Sequence, residues 1–311
     1  MTTKTNQQHC PEILVIGEVL FDIFPDYRRL GGAPFNFAVH VHKIGFDTGF
    51  ISCVGEDDNG IQISKFMDKI GLNQRYVQRD SIHPTGYVSV ILDSQGVPKF
   101  DIHKNVAYDD LNYTDDIGRL LTQPVKLIYF GTLIQRTRKG FETVQQILAN
   151  RRPHTQTFCD LNFRPGCYNR EVVLASLQQT DILKLNHEEL QEVGQFINAK
   201  ANTEAIITHL MRDYQIKTIT VTHGAEGSEW FSTHLHSHSD SPKLDSMVDT
   251  VGAGDAFAAA AATGCLQHWP IDQTLNAASQ FAARVCGIKG ALPSDDRLYE
   301  EFKRNTSFQK G

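Results

Sequence analysis

Asp249-Thr250-Val251-Gly252-Ala253-Gly254-Asp255-Ala256-Phe257, running on into Ala258 to Ala262, is the stretch from which the rest of the chain can be read. Two glycines and an alanine stand where a run of helix formers begins. At such a start the first backbone N–H groups have no intrahelical acceptor and the helix dipole is positive, so an anion can be held without any lysine. Small residues let a phosphate come close. Asp255 then falls in the first turn, beside that anion. A carboxylate there is electrostatically awkward unless its task is to take a proton from a hydroxyl that attacks the phosphoryl group. Taken alone, the stretch also reads as a plain helix cap followed by close-packed alanines. It is not a dinucleotide fingerprint, because Phe257 occupies the place of the third glycine and the stretch lies near the C-terminus. No G-x-x-x-x-G-K-[ST] occurs either.

Upstream of this helix the pattern alternates. Glu12 to Gly17, Phe50 to Val54, Lys126 to Phe130, Thr155 to Cys159, Ile182 to Leu185 and Ile219 to Thr222 are short apolar runs of strand type. Between them helical stretches are expected over Pro34 to Gly45, Gly60 to Ile70, Arg138 to Asn150, Arg170 to Gln178 and His187 to Ile197. After them come Ala253 to Leu266, Ile271 to Cys286 and Asp295 to Arg304. Strands alternating with helices predict an α/β fold, a doubly wound and mostly parallel sheet with helices on both faces. Val88 to Asp93 and Val97 to His103 alternate in polarity around Ser94-Gln95-Gly96, which predicts a half-buried hairpin. Ser232 to Ser246 reads as a surface loop or hairpin.

Composition narrows the function. Apolar residues make up 41% of the 311, enough for a large core, and charged residues 21%, too few for wholesale disorder. A net charge of -6 argues against a nucleic acid partner or an anionic membrane surface. No run approaches a membrane span, and Met1 to Pro11 has no apolar signal core. The six cysteines form no C-x-x-C pair and lie in apolar segments, which fits reduced thiols and a cytoplasmic location.

A second motif, Gly31-Gly32-Ala33-Pro34-Phe35-Asn36-Phe37-Ala38, puts two glycines before a helix and an amide within it. Glycines allow a ligand to approach the backbone, and Asn36 can both donate and accept. With Asp22 after the first strand, Asn36 makes a pair suited to a polyol. A tight turn with a capped helix is the alternative. His234, His236 and His238 alternate as they would on one face of a strand. They suit either a metal or, given their serine-rich setting, an exposed loop.

Together the two motifs resemble the signature segments of the ribokinase-like, or phosphofructokinase-B type, carbohydrate kinases, in the family's order and over nearly the whole chain. Asn186-His187-Glu188-Glu189 resembles the family's Asn-x-x-Glu, Thr222-His223-Gly224-Ala225-Glu226-Gly227 its nucleotide loop, and Asp160-Leu161-Asn162-Phe163-Arg164 its Asp-x-Asn-x-Arg. The Gly-Gly-Ala-Pro-x-Asn form is similar to that of fructokinases. The resemblance implies one domain over residues 1–311, with a small β-sheet lid from segments at about 19–30 and 84–106. It implies transfer of the γ-phosphate of ATP to a sugar hydroxyl, with fructose, 2-keto-3-deoxygluconate, ribose or a nucleoside as acceptor. A non-catalytic binder on the same fold is the reading from another class.

The same resemblance distributes roles. Asp255 is the base, with Gly252, Ala253, Gly254 and Arg164 around the moving phosphate. Asp22, Gly31, Gly32 and Asn36 face the acceptor. Asn186, Thr222, Gly224, Gly227 and Asn276, with Ala277 beside it, face the nucleotide. Mg²⁺ is held near Glu189 through water, and a monovalent cation such as K⁺ near Asp249 and Ser294. A homodimer through the lid is implied too. Arg28 and Arg29 in the lid either grip a phosphate or face solvent.

Overall fold

The computed structural model describes residues 10–92, 98–199, 202–243 and 247–308. In chain order the strands are β1 (Ile13–Ile16), β2 (Leu20–Ile23), β3 (Arg28–Gly31), β4 (Thr48–Gly55), β5 (Val77–Asp80), β6 (Gly86–Leu92) and β7 (Pro98–Ile102). They continue with β8 (Leu127–Gly131), β9 (Gln156–Asp160), β10 (Ile182–Asn186), β11 (Thr218–Thr222), β12 (Ser228–Ser232) and β13 (His236–Ser239). The helices are α1 (Ala33–Ile44), α2 (Asp58–Ile70), α3 (Asp115–Leu121), α4 (Arg138–Ala149), α5 (Arg170–Gln178), α6 (His187–Phe196), α7 (Thr203–Asp213), α8 (Ala253–Leu266), α9 (Ile271–Cys286) and α10 (Arg297–Thr306).

The main sheet runs in the order β13-β12-β11-β10-β9-β8-β1-β4-β5. It is parallel from β11 to β5, and β12 and β13 add an antiparallel edge. Buried strands send alternate side chains to opposite faces. Thus Leu14 and Ile16 of β1 join a core with Val144, Val173, Leu190 and Ile206 from α4 to α7. Ile13 and Val15 join the other core, with residues of α1, α2, α8, α9 and α10. This is the doubly wound arrangement expected from the alternating runs.

Helix boundaries follow local chemistry. Asp57, Thr137, Asn169 and Asn202 each accept a backbone N–H at a helix start. Helices α3 and α7 and strand β5 were not anticipated; α3 is only seven residues long and its apolar face is short. The small second sheet has the order β3-β2-β6-β7. Its outer pairs are antiparallel, while β2 and β6 run parallel because two separate segments meet there. The expected hairpin is β6 with β7, and its Ser94-Gln95-Gly96 turn lies outside the described residues. The Ser232 to Ser246 stretch is a hairpin at the sheet edge, with residues 244–246 outside the described set.

Gly17 follows β1 beneath the first turn of α1, and a Cβ on it would lie 2.1 Å from Pro34 Cγ. Gly17→Ala must push α1 off the sheet, and Asn36 with it. A loss of roughly 1–3 kcal/mol is expected, read as a lower urea midpoint. An unchanged midpoint would show that this contact does not set the height of α1.

Candidate functional site

The carboxyl ends of the parallel strands converge on the start of α8, where open α/β sheets bind their ligands. Gly252 is the N-cap of α8, with φ +81. A Cβ there would lie 2.3 Å from Ala291 Cβ, so both its dihedral and its neighbour require glycine. No side chain caps this helix. Ala253 N–H returns to Thr250 O and Ala256 N–H to Gly252 O, while the N–H groups of Gly254 and Asp255 take no acceptor among the described residues. The free donors expected at this point are therefore present.

Asp255 is buried and its Oδ2 accepts from Asn36 Nδ2 at 2.8 Å. Only the amide nitrogen can face a carboxylate, so the other end of the amide is determined. Asn36 Oδ1 is buried with no partner. An orphaned acceptor in a cleft is an opening for a ligand hydroxyl. Burial pushes the Asp255 carboxyl up to about 6, against the Asn36 hydrogen bond and the charges of Lys184 and Arg164; Asp160 pushes the same way as burial. The Asn36 donor is thus spent on Asp255, which leaves its Oδ1 as the acceptor open to a ligand.

Beneath Gly254 lies a residue that sequence reading passed over. A Cβ on Gly254 would sit 3.3 Å from Lys184 Nζ. Lys184 is buried, and its ammonium bonds Asp160 Oδ1 at 2.9 Å and Oδ2 at 3.0 Å. Tyr129 OH donates to Asp160 as well, at 3.2 Å. Burial works against the ammonium, yet Asp160 and Glu189 outweigh it and raise the Lys184 pKa. A lysine ammonium therefore lies beneath the open N–H groups of α8. The signal was one charged residue in the apolar run Ile182-Leu183-Lys184-Leu185.

Glu18, just past β1, was also passed over. It is buried and lines the same cleft as Asp160, Asn162 and Arg164. Burial pushes its carboxyl up to about 7, and the charge of Asp255 adds to the rise. Arg164 is exposed at the cleft, after Asn162 in the left-handed region at φ +43. Asp22 on β2 lies against Gly31, with Oδ2 3.1 Å from where a Gly31 Cβ would stand. Burial raises its carboxyl above the ordinary range, against the pull of Arg29 and Arg164. Gly32, at φ +106, has no room for a Cβ, which would lie 2.7 Å from Glu18 O.

Asn186 and Glu189 form a capping box on α6. Asn186 Oδ1 accepts from Glu189 N–H at 2.8 Å, and Glu189 Oε2 from Asn186 N–H at 2.8 Å. Glu189 Oε1 accepts from Phe163 N–H at 2.7 Å. Each carboxylate oxygen already holds a backbone donor, so these residues suit a metal ion through water better than directly. Thr222 ends β11, and Gly224 and Gly227 follow with φ +58 and +104. Asn276 is exposed on α9, one turn from Ser279, whose hydroxyl meets Ser228 Oγ at 3.0 Å beside Gly227.

Asp249 Oδ2 accepts from Arg29 Nη1 at 2.7 Å. Ser294 is exposed. Arg28 is exposed, as one of the two readings expected, and bonds Asn59 Oδ1 at 2.6 Å. His236 and His238 are exposed on β13 and bond Glu229 and Asp240. Among the described residues the one cluster with metal-ligand spacing is Asp80, His83 and Asp110, away from the histidine run.

Comparison with known proteins places the chain in a family. The fructokinase of Escherichia coli is 30% identical over 81% of this chain and 84% of its own length. The 5-dehydro-2-deoxygluconokinase 2 of Bacillus cereus is 23% identical over 90% of each chain. The structure of a fructokinase with bound ATP from Xylella fastidiosa matches with a TM-score of 0.81 at 23% identity, over 95% of this chain and 99% of that one. The model of the pfkB family carbohydrate kinases matches residues 24–297, and the chain belongs to that family.

Proposed function

We propose that this protein is an ATP-dependent sugar kinase with fructose as its acceptor, acting in the cytoplasm as one kinase domain over residues 1–311. The observation that carries the reading is the Asp255 carboxylate, buried at the open N–H groups of α8 and held by Asn36. The E. coli fructokinase and the Gly31 to Asn36 segment support fructose. The B. cereus relative and the exposed Arg164 guanidinium support an acidic sugar as a second reading.

In this mechanism the acceptor lies under the small sheet, which serves as the lid through segments at about 19–30 and 84–106. Its hydroxyls bond Asp22 and the free Oδ1 of Asn36, with the Gly31 and Gly32 backbone alongside. Asp255 Oδ1, not held by Asn36, takes the proton of the attacking hydroxyl. The backbone of Gly252, Ala253 and Gly254 receives the phosphoryl oxygens, with Lys184 beneath and Arg164 at the rim. Thr222, Gly224, Gly227 and Asn276 border the nucleotide. Mg²⁺ near Asn186 and Glu189, through water, would neutralise phosphate charge. Ile23, Tyr27 and Phe100 expose apolar surface on the small sheet, which supports a homodimer through it.

The direct test is ADP release with ATP and Mg²⁺ over fructose, ribose, 2-keto-3-deoxygluconate, 5-dehydro-2-deoxygluconate and adenosine. Fructose should give the highest kcat/KM. A higher value for an acidic sugar moves the assignment to the second reading, and no release with any acceptor removes the kinase reading.

Asp255→Asn should lower turnover by at least about 10²-fold, since general base catalysis is worth that much. Its stability should move the other way. A carboxyl raised from 3.8 to about 6 costs folding free energy as it ionises. That cost is absent below the unfolded pKa, grows as pH rises through the interval and is complete above about 6. The variant should therefore match wild type near pH 4 and melt higher at pH 8. Near-normal turnover in a folded variant would remove Asp255 as the base.

Lys184→Met leaves Asp160 charged, buried and unpaired, which should cost about 3–5 kcal/mol. Adding Asp160→Asn should restore much of that stability while ATP affinity stays low, because the ammonium under Gly254 is still gone. If the double variant binds ATP as wild type does, Lys184 serves the core alone.

A further inference from the structure

Arg29 and Asp249 stand 220 positions apart and meet in an ion pair of 2.7 Å. Arg29 belongs to β3 of the small sheet. Asp249 opens the loop that leads to Gly252. Three hydrogen bonds hold the Asp249 carboxylate. Oδ1 accepts from Val251 N–H at 3.1 Å, and Oδ2 accepts both Arg29 Nη1 and Gly290 N–H, the latter at 3.1 Å. The carboxylate is one-fifth exposed and the guanidinium slightly less, so the pair is largely withdrawn from solvent screening.

The guanidinium is also caged. Phe24 and Tyr27 stack at 4.4 Å across the β2–β3 turn, and the Arg29 guanidinium carbon lies 5.6 Å and 5.7 Å from their ring centres. Gly290, at φ +85, presses on its stem: a Cβ there would come within 3.0 Å of Arg29 Cδ. Lys289 Nζ lies 4.9 Å from the Tyr27 ring centre. Two cationic side chains already gather at this end of the loop. A bare monovalent cation at Asp249 would need oxygen ligands and would meet their repulsion; Ser294, the other ligand expected from resemblance, is exposed. The residues present do not fit such an ion.

We infer that the Arg29 guanidinium takes the place of a monovalent cation in this protein: it balances Asp249, steadies the Gly252–Gly254 loop and ties the small sheet to it. Arg29 is a positioning residue, acting on the phosphate through Asp249 and the loop. A guanidinium forms directed hydrogen bonds that a spherical ion cannot, and it arrives on the small sheet. The order of the anion loop is thereby coupled to the seating of that sheet. Partial burial opposes the charge on Asp249, yet the hydrogen bonds from Val251, Arg29 and Gly290 hold its carboxyl below the usual range, so the pair stays ionised at neutral pH.

The inference rests on the kinase reading for its effect on phosphate binding, but not for its effect on stability, so two measurements separate them. Thermal melting is recorded in potassium chloride and in choline chloride at equal ionic strength. Wild type should melt within about 1 °C in the two salts, whereas Arg29→Gln should melt lower in choline and recover by more than about 2 °C in potassium or guanidinium at low millimolar concentration. ADP release is then followed in the same salts. Wild-type kcat and KM for ATP should not respond to potassium. Arg29→Gln should show a KM for ATP raised at least about 10-fold in choline, reversed by potassium or guanidinium, with Arg29→Lys between the two. The inference is overturned by a wild type that potassium stabilises or activates, by an Arg29→Gln variant that melts and binds ATP like wild type in choline, or by a loss that neither cation reverses. Absence of ADP release from wild type with every acceptor removes the kinase reading instead, and melting still decides the role of Arg29.

Discussion

Everything at the centre of this molecule is arranged around a buried ammonium. Lys184 sits in the middle of a parallel sheet, where a lone charge would cost several kcal/mol. It is tolerated because Asp160 on the neighbouring strand offers both oxygens and Glu189 adds negative charge, which together outweigh burial and the positive start of α8 above it. The pairing holds β9 to β10 at their carboxyl ends. It also brings positive charge up to the glycine loop without exposing it to water. A negatively charged group arriving there meets the helix dipole, two free N–H groups and the ammonium from one side.

Two further carboxyls, Asp255 and Glu18, surround that point and are pushed up by the same desolvation, to about 6 and about 7. Three acidic groups and one lysine share a small volume, with Arg164 at its rim. Two carboxyls with proton affinity near neutrality therefore lie side by side at the start of α8. Asn36 joins α1 to α8: its nitrogen holds Asp255, and its oxygen has no partner among the described residues.

The second sheet is joined to this centre through charge as well as chain. Arg29 and Asp22 are directly opposite in the β2–β3 register, and Arg29 reaches on to Asp249. The Asp22 carboxylate lies against Gly31, and the Arg29 charge acts on it as well as on Asp249.

Much of the architecture was written in local pattern. The apolar runs marked β1, β4, β8 to β11, and Gly252 marked the start of α8 because only a residue free of Cβ takes φ +81 against Ala291. Gly32 and Pro34 did the same for α1. Short or weakly amphipathic pieces such as α3 and β5 were not legible, because their few apolar positions gain meaning only against the core they cover. The partnerships of charges were not legible either. Nothing near Asn36 or Arg29 along the chain marks Asp255 or Asp249 as its partner, 219 and 220 positions away. By itself the sequence determined where the backbone needs glycine, where helices begin and which faces are apolar, since these are properties of neighbouring residues. Which charge neutralises which was decided by the tertiary structure alone, because the Coulomb energy of a buried pair depends on a distance across the fold that separation along the chain does not encode.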